Sequence, residues 1–86
     1  IKVLDILKSK DDKRNKYTNM RQTIIDSRVT DFSELFTLLY EKVDEFAPSN
    51  TANVIIALSE GQSRHFNAID KEIPMAATLI EILNLI

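Results

Sequence analysis

The sequence predicts an all-α domain of about five helices, a reading that rests on three observations. Gly occurs once and Pro twice among 86 residues, too few turn formers for an all-β sandwich or barrel, whose short strands need a turn signal about every 8–12 residues. Apolar residues recur at spacings of three and four through most of the chain, the period of a helix face. Cys is absent, so disulfide frameworks, thiolate zinc sites and thiol nucleophiles are excluded together and stability rests on packing. The apolar fraction of 44% suits a globular protein, and no window approaches the roughly 18 consecutive apolar residues of a membrane span. One soluble domain over residues 1–86 is expected, with no membrane association. At this length folding buries only about 60–65% of the unfolded chain's surface, which leaves little room for a catalytic cavity beside a core. The chain is therefore expected not to be an enzyme.

The helices are expected near 1–8, 12–25, 31–46, 51–67 and 72–86. Val3, Leu4, Ile6 and Leu7 lead into Lys8-Ser9-Lys10-Asp11-Asp12, a short amphipathic helix and a polar turn in which Ser9 or Asp11 can cap the second helix. That second helix has a thin apolar stripe of Tyr17, Met20 and Ile24. Residues 24–29 either extend it or form a connecting loop, since their β-branched content favours neither. Asp31-Phe32-Ser33-Glu34 reads as a capping box in which Asp31 accepts from the Glu34 amide and Glu34 reaches back. Phe32, Leu35, Phe36, Leu39, Val43 and Phe46 then form one stripe opposite Glu41, Lys42, Asp44 and Glu45, until Ala47-Pro48 ends the helix. Ser49 or Thr51 can cap the fourth helix, which is apolar nearly all round through Val54, Ile55, Ile56, Ala57 and Leu58 and so is expected to be central. Leu35, Phe36 and Leu58 are the expected core positions.

Gly61 interrupts that helix at a cost of about 0.8–1.0 kcal/mol relative to Ala. Either the helix bends or frays there, or another backbone approaches where no Cβ fits. Pro74 suits the first turn of the last helix, with Asp70 placed to cap it. From Met75 to Ile86 only Thr78, Glu81 and Asn84 are polar. An apolar arc that wide exceeds what one neighbouring helix hides, so Leu79, Ile82, Leu83 and Ile86 are the candidate subunit interface. The alternative is a helix threaded through the bundle centre, which satisfies the same pattern.

Net charge is −2 but uneven: residues 1–30 carry eight Lys/Arg against four Asp/Glu, and residues 31–86 three against nine. The basic front half makes Lys13, Arg14, Lys16 and Arg21 candidate nucleic-acid contacts. Asp11, Asp12 and Asp26 dilute that field, and the plain alternative is a solvated helix face. A single Gly permits neither phosphate-cradling loop. The one His, His65, excludes multi-histidine metal sites, and acidic pairs such as Glu41/Glu45 fit a solvated face. Neither cofactor nor metal is expected in these residues. Glu60 and His65 lie about 140° apart around a helix and do not converge, whereas Glu60 and Arg64, at i and i+4, form an ordinary helix-stabilising pair.

The order of elements resembles a known family. The run Val3-Leu4-Asp5-Ile6-Leu7-Lys8-Ser9-Lys10-Asp11, a helix with aromatic and leucine stripes, Ile55-Ile56-Ala57-Leu58-Ser59-Glu60, and Ala68-x3-Glu72-x3-Ala76-x2-Leu79 together resemble the C-terminal collar domain of sliding-clamp loader small ATPase subunits. The likeness is to the T-even-type phage form and, more distantly, to replication factor C small subunits. It covers nearly all 86 residues. The resemblance implies a five-helix oligomerisation domain at the C-terminal end of a longer AAA+ protein. It joins like domains in a pentamer whose motor domains, absent from these residues, use ATP and Mg to load the clamp on primer-template DNA. The implied partners are other clamp-loader subunits, the sliding clamp and DNA, and the implied setting is the cytoplasm of a phage-infected bacterial cell. The rival reading is a small helical nucleic-acid-binding domain using the basic front half.

Overall fold

Six α-helices make up the described residues, 2–86, of the structure, which is a computed structural model: α1 (Lys2–Lys8), α2 (Lys13–Ser27), α3 (Ser33–Glu41), α4 (Val43–Phe46), α5 (Thr51–Asn67) and α6 (Glu72–Leu85). Ile1, the first residue of the first expected helix, lies outside them. The chain is all-α among these residues, as the turn chemistry requires, with one more helix than expected.

Local hydrogen bonds explain the boundaries. The Ser9 hydroxyl donates to the Ile6 carbonyl at 2.7 Å and closes α1. The cap of α2 is Asp12, whose carboxylate accepts from the Asn15 amide at 2.8 Å, so neither Ser9 nor Asp11 caps it. The helix runs on through Ser27 and ends at Arg28, which turns left-handed at φ 56°. Residues 24–27 thus extend the helix.

The expected helix over 31–46 is two helices. At Lys42 the backbone leaves helical geometry (φ −104°, ψ 11°), although its amide still donates to the Leu38 carbonyl at 3.0 Å. The turn lets α3 pack on α5 while α4 packs on both α1 and α5. The apolar stripe survives it: Phe32, Phe36 and Leu39 are buried before the break, Val43 and Phe46 after it. Leu35 is only half-buried, packed against the rim of the core.

Neither Ser49 nor Thr51 caps α5. Its first carbonyl partner comes from Asn50, whose side-chain amide donates instead to the Leu85 carbonyl at 2.7 Å and closes the far end of α6. Val54, Ala57, Leu58, Gly61 and His65 form the inward face of α5, but Ile56 is 56% exposed. The helix is half-wrapped, not surrounded. At α6 the Asp70 carboxylate accepts from the Glu72 amide at 3.1 Å, and Pro74 sits in the first turn, where a missing amide hydrogen costs nothing.

Residues 68–71 join α5 and α6 as a helical hairpin, and α2 covers the other side of α6. Gly61 lies at the crossing of the two. A Cβ there would overlap the Thr78 hydroxyl and come within 3.0 Å of Thr78 Cβ and Cγ2. Of the two explanations open for Gly61, close approach is the one observed, although the group that meets the missing Cβ is the Thr78 side chain and not a backbone, and α5 continues unbroken through it. Thr78 has no freedom to retreat, because its hydroxyl donates to the Pro74 carbonyl at 2.8 Å.

Gly61→Ala gains helix propensity of about 1 kcal/mol and meets an overpacking cost of typically 1–3 kcal/mol, so a net loss of stability is expected in urea unfolding. The loss should shrink in a Thr78→Ala background, and an equal loss in both backgrounds would contradict the crossing. Leu58→Ala and Phe36→Ala should each cost about 2–5 kcal/mol, and half-buried Leu35→Ala clearly less.

Candidate interaction surfaces

The interface expected on α6 is mostly core. Leu79 and Ile82 are fully buried and Leu83 nearly so, within the single chain. Only Ile86, 37% exposed, reaches solvent. Leu79, Ile82 and Leu83 are covered from two sides, by α5 and by α2, so the threaded arrangement accounts for that part of the apolar arc. The expected polar strip is also displaced: Thr78 is buried at the Gly61 crossing, whereas Ile73 and Ile80, seven residues apart on one flank, face outward with Ala77 between them.

That flank continues into the α5–α6 corner. Phe66 is 82% exposed, Ile69 fully exposed and Ile73 68% exposed. The three lie within eight residues of chain around one turn, next to the end of α5 that Lys71 closes by donating to the His65 carbonyl at 2.9 Å. Single exposed apolar residues are ordinary, and three within eight residues of chain make this corner a candidate contact surface. Phe66, Ile69 and Ile73 share no single helix face that sequence reading could follow, because they lie on two helices and the link between them. Ile69, an apolar residue in the link between two helices, was the available signal.

The four candidate nucleic-acid residues do not act as a group. Lys16 is drawn in: its ammonium donates to the Leu7 carbonyl at 3.0 Å and caps α1, a structural role that withdraws it from the proposed surface. Arg14 and Arg21 share an exposed face, since seven residues return to about the same angle after two turns. Lys13 is exposed about 100° away from Arg14. Among the described residues Arg14 and Arg21 have no carboxylate partner. The expected Glu60–Arg64 pair forms at 3.5 Å, and Arg64 also reaches Glu81 of α6 at 3.2 Å.

His65 is 3% exposed and joins the start of α3 to α5. Its Nε2 accepts from the Phe32 amide at 2.9 Å, and the rings of Phe32 and Phe36 meet it edge-on at 6.0 and 5.3 Å between centroids. The expected capping box does not form. The Asp31 carboxylate accepts instead from the Ser33 hydroxyl at 2.6 Å and the Ser33 amide at 2.9 Å, two residues on, and Phe32, not Asp31, is the residue that flanks the start of α3. Those Ser33 bonds hold the Asp31 carboxyl below its ordinary value, with a smaller contribution from His65. Lys8, 3.2 Å away on α1, does the same for Glu45 of α4. Among the described residues no three of His, Asp and Glu converge, and no helix is long and apolar enough to cross a membrane. Comparison with protein-family models, characterised proteins and solved structures finds no match to the chain.

His65→Phe keeps an aromatic ring, though a larger one, and orphans the Phe32 amide, so a loss of at least about 1–3 kcal/mol is expected in chemical denaturation. His65→Gln, which retains an acceptor, should lose less. Asp31 and Glu45, with lowered carboxyl values, contribute stability that is present at neutral pH and disappears as acid carries each through its folded-state value. Asp31→Asn combined with Glu45→Gln should therefore flatten the acid limb of a stability–pH curve, and an unchanged slope would count against both contacts.

Proposed function

We propose that the chain is an oligomerisation module, a collar-type domain of a phage sliding-clamp loader subunit, with no chemistry of its own. The observation that supports this reading is the exposed apolar corner of Phe66, Ile69 and Ile73, continued along α6 by Ile80. In the collar reading this surface meets the equivalent domain of the next subunit, through contacts that join two different faces and close a ring only at the right rotation. The absent motor domains hold ATP and Mg, and the sliding clamp and primer-template DNA are met by the assembled loader in the cytoplasm of the infected cell. Linked contacts from several domains normally supply a ring's avidity, so an isolated module associates in the micromolar range or weaker, about −8 kcal/mol or less favourable.

Leu79, Ile82 and Leu83 are unsuitable for testing this, because a charge there would unfold the core. Ile73→Asp alters a mostly exposed position and should leave stability within about 0.5 kcal/mol, while Ile80→Asp, at a position 43% exposed, costs about 1 kcal/mol and leaves the fold intact. In the full-length protein the pair is expected to reduce complex size and to abolish ATPase stimulation by clamp and DNA. A folded variant that assembles and responds normally would remove the physical support for the collar reading.

A second reading, a small nucleic-acid-binding domain, is favoured by the unpaired Arg14 and Arg21 on one face of α2. It requires low-salt DNA binding with a slope of about −2 in log K against log salt, for two phosphates neutralised. Arg14→Ala with Arg21→Ala should abolish it, and binding that survives would have another origin.

A further inference from the structure

We infer that the groove between α1, the end of α2 and α3 is a docking site for a cationic amphipathic helix of a partner protein. The groove encloses about 680 Å³. Its floor is apolar, with Val3, Ile24 and Phe32 buried beneath and Leu35 and Leu38 half-buried along one wall. No buried side-chain polar atom among the described residues lacks a hydrogen bond, so nothing within the floor is left to orient a polar small molecule. Recognition must come from the rim.

The rim is acidic and regularly spaced. Asp31, Glu34 and Glu41 border the groove against one cation, Lys2. Glu34, Leu38 and Glu41 fall at i, i+4 and i+7 on α3, so the two carboxylates flank Leu38 on one ridge about 10 Å apart along the axis. Both are exposed, and neither makes a hydrogen bond or ion pair among the described residues. Asp31 is already ionised more readily than an ordinary aspartate because Ser33 bonds it. An occupant that lays apolar anchors at i, i+3 or i+4 and i+7 into the floor would set its flanking Lys or Arg against carboxylates at the same two-turn spacing. The inference is independent of the ring reading, whose surface lies at the α5–α6 corner.

The test uses the whole chain and two synthetic helices of about four turns, one of leucine and lysine and one of leucine and glutamate. The lysine helix is expected to bind at low salt and to shift the amide resonances of residues 29–41 most. Glu34→Lys with Glu41→Lys should weaken the lysine helix at least tenfold and make the glutamate helix the better ligand. If that double variant does not fold, Glu34→Gln with Glu41→Gln must still weaken lysine-helix binding. The inference is overturned by absence of binding, by binding indifferent to these substitutions, or by shifts centred on Phe66–Ile73. It is equally overturned if the chain dimerises through this groove, since a second copy would then be the occupant.

Discussion

The close approach of α5 and α6 at Gly61 is the constraint on which the arrangement depends. Where a Cβ would overlap Thr78, α6 instead lies against α5, and α2 covers its opposite side. With both sides covered, Met75, Leu79, Ile82 and Leu83 of α6 become the centre of the domain, while Ile73 and Ile80 stay on its outer flank. Thr78 is the polar residue that this packing draws inside, and its hydroxyl is satisfied by the carbonyl one turn back, at Pro74. A buried hydroxyl without a partner costs about 1–3 kcal/mol or more, and the bond to Pro74 within α6 removes that cost at the crossing.

Around that pair, helix ends are tied off by side chains from elsewhere in the chain. Lys16 of α2 reaches the Leu7 carbonyl of α1, Lys71 reaches the end of α5, and Asn50 reaches the Leu85 carbonyl of α6. His65 receives the amide of Phe32 at the start of α3. Each of these groups is one that a helix leaves unpaired, and in each the partner belongs to the neighbouring element that must be in place for the bond to form. Lysine at a helix C-terminus also complements the partial negative charge there. In a domain of this size such bonds couple local helix stability to the tertiary arrangement.

The two surfaces left by this packing differ in chemistry. The α5–α6 corner presents large apolar side chains directly to solvent, whereas the α3 groove recesses its apolar floor behind carboxylates. The unequal charge of the two halves of the chain is visible in the fold: Arg14 and Arg21 face outward from α2, and Glu34 and Glu41 stand on the ridge of α3. The two surfaces thus offer different chemistry, one apolar area open to solvent and the other a charged rim around a recessed apolar floor.

Composition and periodicity alone determined the helical class, the positions of most helices and the inward stripe of α3 and α4, because turn residues and apolar spacing act locally. Tertiary structure decided the rest. The break at Lys42 answers to α4 packing on both α1 and α5, and nothing in the local pattern of residues 31–46 demanded it. The amide of Phe32 at the start of α3 is held by His65, 33 residues beyond it, a partner that local spacing does not encode. The wide apolar arc of α6 was legible, but not its coverage: the same pattern suits a helix covered by another subunit and one covered by its own chain on two sides. That choice turns on whether α5 can come close enough at Gly61, a distance between residues 17 positions apart that periodicity does not encode.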